Sequence, residues 1–410
     1  MSQKTDSYAP TKAVNRIALL DIFRGFALLG IFVVNIRYMS SSVNHPEAFI
    51  WMKEGVWNQI ADWILSNFFN SKFFPIFSFL FGVGFGMQIN KMEEKGNFSK
   101  SFFLRRYFYL MLFGLIHLLL LWGGDVLMLY SIAGFIVLMV RKVKVRYVLI
   151  AAVLILLCPL YGHIFGALNK ILASYDYKTL SENNNYIYTD ILTINLSGTF
   201  KDFLKFRLYE YSVYFRNVEY FPTLIALIFI GYSAGRYKFY NKIPESLKKL
   251  TPVAVIALPL VIIFRIYYNS LDHLPTDNYK LYVIIIKLRI VSNIAQSFLY
   301  LYLISLLYEK RILTKIIEPL AYAGRMSLTN YIMQSVVGLI LFNGAFFALY
   351  GKLGLAWLEV IVICSYISLI IGSMIWFSKF RYGPLEWIWR DLTYKTSLKF
   401  IKNGINNSKS

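Results

Sequence analysis

The sequence predicts an all-α, polytopic membrane bundle of about ten transmembrane helices, with both termini cytoplasmic and interfacial helices in an outer loop and at the C-terminal end. Three observations predict it. Of 410 residues, 57% are hydrophobic and only 16% charged, and the mean hydropathy is +0.52. A soluble chain carries about 25% charged residues and could not bury so much apolar surface in one or two domains. Apolar runs of about the 20 residues that a helix needs to cross ~30 Å of hydrocarbon recur along the whole chain. Finally, 43 Lys and Arg stand against 22 Asp and Glu, and the cations gather in short segments between apolar runs, which marks cytoplasmic loops rather than a nucleic-acid surface.

The expected spans are Ile17 to Tyr38, Phe73 to Ile89, Tyr107 to Trp122, Val126 to Val140, Tyr147 to Leu168, Phe221 to Tyr237, Leu250 to Tyr268, Tyr282 to Tyr308, Pro319 to Phe342 and Leu355 to Phe377. Residues 1–16 form a cytoplasmic tail, 17–378 the membrane domain with an outer loop at about 169–220, and 379–410 a cytoplasmic interfacial segment. The first run is basic at its start like a signal peptide, but Asp21 and Arg24 interrupt it, so it reads as an uncleaved span. With the N-terminus inside, the inner segments hold well over twice the Lys and Arg of the outer ones, which sets the orientation. Reporters fused after Lys95, Arg146, Lys242, Lys310 and the C-terminus should therefore read cytoplasmic, and one inserted near Asn184 external. An external reading at Lys95 with a cytoplasmic one at Asn184 would reverse the topology. Trp57 to Asn70 has the spacing of an amphipathic helix on the outer face. The basic, amphipathic stretch from Phe200 to Phe215 reads either as a cap over a cavity or as a helix lying on the outer leaflet. Cys158 and Cys364 lie in apolar runs and read as packing residues, and Gly82, Gly84 and Gly86 read chiefly as a close-packing surface.

Polar groups inside apolar runs cost about 2.5 to 3.5 kcal/mol when charged and so point to functional or buried faces. Asp21 and Arg24 share one helix face and can pair. His117 is flanked by Arg105 and Arg106 on one side and by Gly123, Gly124 and Asp125 on the other. A ten-residue offset from the inner boundary places it near mid-membrane. The glycine pair would let Asp125 fold back onto it, and a carboxylate on one ring nitrogen leaves the other free as a base. Arg325, Asn330 and Gln334 recur at about one turn and should line a cavity or bind a partner helix. Lys287, Arg289 and Arg265 lie in outer halves of spans, where they draw an anionic acceptor or reach for the interface. Gly383 to Arg390 reads as an interfacial helix with Trp387 and Trp389 at the headgroups. The four histidines, including His45, His163 and His273, give no metal-ligand spacing, and no metal is expected.

Five blocks carry a resemblance. They are Leu20 to Ile31 with Asn35; Phe77 to Gly82; Gly114 to His117 with Gly124 to Leu127; Gly324 to Tyr331 with Gln334 and Ser335; and Gly383 to Trp387 with Arg390. In this order they resemble the YeiB family of bacterial inner-membrane proteins. That family is in turn distantly similar to transmembrane acyltransferases such as heparan-alpha-glucosaminide N-acetyltransferase, chiefly through Asp21, Arg24, Asn35 and the proline of the second span. The resemblance implies transfer of an acyl group from cytosolic acyl-CoA (acetyl-CoA) to a hydroxyl or amine of a small-molecule, glycan or lipid-linked acceptor. In that enzyme the histidine stands shortly before a Trp-Asn pair. Here Trp57-Asn58 has only His45 twelve residues upstream, so His117 and His45 are both candidates. On this reading His117 and Asp125 are catalytic. Arg105, Arg106 and Arg325, with Asp21 and Arg24, hold acyl-CoA, and Asn35, Asn330, Gln334, Lys287 and Arg289 meet the acceptor. A transporter or exporter of a small anionic or lipid-linked molecule, or an assembly factor without chemistry, would use the same residues differently. Nucleic acid is not an expected partner, and the oligomeric state is not encoded legibly.

Overall fold

The computed structural model describes residues 18–42, 46–157, 188–211, 220–271, 279–395 and 399–401. His45, His163, His273, Cys158, Asn184 and the first part of the outer loop lie outside them. The helices are α1 (Ala18–Ser40), α2 (Val56–Ile64), α3 (Phe73–Glu94), α4 (Lys100–Leu120), α5 (Leu127–Val140), α6 (Val145–Leu157), α7 (Tyr188–Ser197) and α8 (Phe200–Tyr211). They continue as α9 (Tyr220–Arg236), α10 (Ile243–Leu271), α11 (Tyr279–Glu309), α12 (Thr314–Arg325), α13 (Ser327–Phe342), α14 (Leu355–Lys379) and α15 (Pro384–Tyr394). The described residues of every expected span are helical, except at some span ends and at the break in the ninth. Among the described residues, six helical stretches are long and apolar enough to cross a membrane, namely Ala18–Ser40, Val56–Glu94, Lys100–Leu120, Leu247–Ile266, Ile284–Glu309 and Leu355–Lys379. The other expected spans fall on shorter helices, such as the 14 residues of α5 and 16 of α13, about 21 and 24 Å long.

A helix that places Asp21 and Arg24 in an apolar run must face them inward, and α1 is accordingly central, packed by α3, α11, α12, α13 and α14. The most extensive helix contact is between α3 and α9. A Cβ on Gly82 or Gly86 would collide with the α9 backbone at Ile228 to Arg236, so the small-residue reading of this stripe holds for two of its three glycines. The third, Gly84, faces a cavity, its nearest neighbour being the Arg24 guanidinium at 3.9 Å. At the opposite extreme the described side chains of α10 are mostly exposed, and the helix lies against α11. Cys364 on α14 is also exposed rather than packed.

Three expectations change. The ninth span is two helices broken at Met326, because Arg325 ends α12 and the chain turns before α13 begins. His117 is in the last turn of α4, since that helix starts at Lys100 rather than Tyr107. It lies about 25 Å along the axis, nearer the face opposite the basic one. The third change concerns α15, which is indeed an amphipathic helix but does not simply rest in headgroups. Trp389 donates its indole N–H to the Arg106 carbonyl at 2.8 Å, and the Arg106 guanidinium stacks on the Trp389 ring at 3.8 Å. The segment around Trp57 forms α2 followed by a wide π turn at Leu65–Phe69, with Trp57, Ile60 and Trp63 exposed.

Candidate functional site

The site grows from the turn between α4 and α5. Gly123 and Gly124 reverse the chain so tightly that Asp125 returns beside the helix it has just left. One carboxylate oxygen, Oδ1, accepts the Met128 N–H at 2.9 Å and so caps the start of α5. The other, Oδ2, lies 2.9 Å from His117 Nδ1. A carboxylate only accepts, so Nδ1 carries the proton and Nε2 presents its lone pair. Nε2 lies 2.8 Å from Ser335 Oγ on α13. The three side chains are 0%, 0% and 1% exposed, so the chain Asp125–His117–Ser335 is dry. Gly114, one turn before His117, makes this possible: a Cβ there would stand 2.7 Å from the Met128 nitrogen and 2.9 Å from Asp125 Oδ1. Gly114→Ala should therefore push α4 and α5 apart at a cost of about 1 to 3 kcal/mol, lowering the melting temperature in detergent. Gly84→Ala, which faces open space, should leave the melting temperature unchanged.

Two cavities approach this chain from opposite faces. The larger, about 1090 Å³, is lined at one end by Lys91, Lys95 and Lys238 from the basic face. Deeper it meets Arg24, Arg106, Arg325 and Arg390, with Glu94 and Glu386 as its acidic residues. Its wall includes Tyr331, whose ring packs 5.1 Å from the imidazole of His117. The smaller pocket, about 50 Å³, opens toward the other face and is lined by Ser335, Trp122, Arg207 and Glu210. Its cover is α8. Arg207 donates to the carbonyls of Leu119 and Leu121 at 2.8 and 2.5 Å, satisfying the C-terminal end of α4. Glu210 accepts from Ser42 at 2.6 Å. The described part of this stretch, α8, lines the small pocket through Phe203, Phe206, Arg207 and Glu210.

The remaining sequence-predicted residues divide sharply. Asp21 and Arg24 pair at 2.6 Å, with Asp21 2% exposed and Arg24 reaching the large cavity. Arg106 and Arg325 also line it, whereas Arg105 donates to the Thr393 carbonyl at 3.2 Å outside it. Asn330 donates to the Ala323 carbonyl and Ser373 hydroxyl, and Gln334 to the Leu28 carbonyl, so both tie α13 to its neighbours. Asn35 is half-buried on α1 and lines neither cavity. Lys287 and Arg289 lie on α11, away from both cavities, Lys287 buried and Arg289 exposed. Sequence reasoning gave no role at the site to Ser335, Tyr331, Arg207 and Glu386. Glu386 reaches from α15 to accept the N–H groups of Leu328 and Thr329 at 2.7 and 3.1 Å and the Thr329 hydroxyl at 2.6 Å. Burial pushes its carboxyl above the ordinary value, against the pull of these hydrogen bonds.

Residues 234–396 match the family model described as "Protein of unknown function (DUF418)". The uncharacterized protein YxaH of Bacillus subtilis (strain 168) is 29% identical over 417 residues, covering 95% of this chain and 96% of its own. The uncharacterized protein YeiB of Escherichia coli (strain K12) is 25% identical, covering 94% and 98%. The chain is thus similar to YxaH and YeiB over nearly its whole length. A further relative, an uncharacterized 39.9 kDa protein in an amylase 3′ region of Bacillus acidopullulyticus, is 28% identical over 96% of this chain and 98% of its own. No solved structure matches. The segment that matches the family model contains Ser335, Arg325 and Glu386, while His117 and Asp125 fall in the part aligned only with the full-length relatives.

Proposed function

We propose that this protein is a membrane acyltransferase of the bacterial plasma membrane, moving an acyl group from cytosolic acyl-CoA to a hydroxyl or amine of a sugar or lipid-linked acceptor. One observation carries the reading: an imidazole whose tautomer is fixed by a carboxylate stands, fully buried, between a large basic cavity on one face and a small pocket on the other. Cations suit the phosphates of a coenzyme, and about 1090 Å³ exceeds the ordinary small-ligand range, as a nucleotide-bearing donor requires. Arg24, Arg106 and Arg325 would hold the donor, and His117 would act as base. Arg105, tied to α15, has no place in that grip.

A transporter would draw on the break between α12 and α13, because discontinuous helices whose ends meet the substrate are a transporter device. Here that helix N-terminus is already taken by Glu386, which weighs against an anionic cargo binding there. The test is to incubate purified protein in detergent with acetyl-CoA and follow binding and release of free thiol. Saturable binding with thioester cleavage is expected. Failure of both, together with uptake that depends on the proton-motive force, would replace this reading with transport.

A further inference from the structure

The acyltransferase reading leaves open whether the acyl group passes directly to the acceptor. We propose that Ser335 is the nucleophile and carries the acyl group as an ester between the two faces, an inference that rests on that reading.

The hydroxyl of a serine in a membrane helix usually returns to its own backbone, and this protein does so repeatedly. Ser233, Ser297, Ser305 and Ser373 each donate to the carbonyl four residues back at 2.7 or 2.8 Å. Ser335 is directed instead at His117 Nε2. That nitrogen is the one Asp125 leaves unprotonated, so the proton His117 is placed to take is that of Ser335. Asp125 is a positioning residue, locked in turn by the Met128 N–H. Location agrees with chemistry. Ser335 lines the small pocket beneath α8, while Tyr331, one turn earlier on the same face of α13, lines the basic cavity.

In the first half-reaction Oγ attacks the thioester carbonyl carbon while Nε2 takes the hydroxyl proton. The C–S bond breaks and the departing sulfur takes that proton from the imidazolium, leaving as a free thiol. In the second, the acceptor hydroxyl or amine attacks the ester carbon, its proton passes to Nε2, and the ester bond breaks as Oγ regains a proton from His117. No oxidant or metal enters the balance.

The wild-type protein in detergent would be incubated with acetyl-CoA, and in parallel with palmitoyl-CoA, without acceptor, then quenched in acid and digested. We expect the peptide containing Ser335 to gain the mass of one acyl group, and the gain to vanish in His117→Gln. Ser335→Ala should lower transfer by about 10³-fold or more, and Ser335→Cys should carry the label as a hydroxylamine-labile thioester even where the alanine variant is poorly folded. Label on His117, or wild-type transfer by Ser335→Ala, would overturn the inference while leaving the acyltransferase standing. If the wild type neither binds nor cleaves either thioester, the function itself falls, and the serine assignment with it.

Discussion

His117→Ala should lower acyl transfer by about 10²- to 10⁴-fold, the usual worth of a positioned base, while acetyl-CoA binding stays close to wild type. The two effects separate because the imidazole is behind Tyr331, whereas the cations that would grip phosphate line the cavity beyond it. Truncation also leaves the Asp125 carboxylate and the Ser335 hydroxyl facing each other across a dry gap, at a cost of about 1 to 3 kcal/mol. His117→Gln is therefore the companion variant, since it restores polar contacts without a base and should fold better yet remain as slow. Asp125→Asn should cause a smaller or similar loss, because the imidazole survives but its tautomer is no longer dictated. Wild-type transfer by His117→Ala together with loss in His45→Ala would move the base to the segment beyond α1.

The second large effect is on folding. Arg24→Ala removes the guanidinium 2.6 Å from Asp21, whose side chain is 2% exposed, and should cost about 3 kcal/mol, the low end for breaking a buried pair. Asp21→Ala should cost less, because the Arg24 side chain is 27% exposed and reaches the large cavity. In a double-mutant cycle read by thermal or denaturant unfolding in detergent, the pair should show a coupling of about 1 to 3 kcal/mol. Additive losses would show that the 2.6 Å contact contributes nothing to stability.

The particulars show what hydropathy can and cannot carry. Hydropathy along the chain locates apolar helices because insertion depends on composition, so the helical bundle was legible. The pairing of His117 with Asp125 was legible too, since eight residues and two glycines fix their separation locally. Ser335 was not, because its approach to His117 spans 218 positions and is set by how α13 is turned against α4. A polar residue in a membrane helix announces that it faces inward without naming its neighbour. For the same reason Asn330, Gln334 and Ser335 read alike in sequence, yet the first two hold helices together and only the third meets the imidazole. Arg325 concealed a helix break, because a broken and an unbroken helix have the same mean hydropathy.

The carboxylate of Glu386 at the head of α13 has a consequence for biosynthesis. α15 follows every membrane-spanning helix in the chain, so while those helices are being inserted the first turn of α13 has no anion to meet its free N–H groups. The helix that presents Ser335 thus acquires its anchor only after the bilayer has received all its neighbours. Until then the first turn of α13 lacks the carboxylate that accepts its Leu328 and Thr329 N–H groups. A chain ended before α15 should therefore hold the start of α13 less firmly than the full chain does.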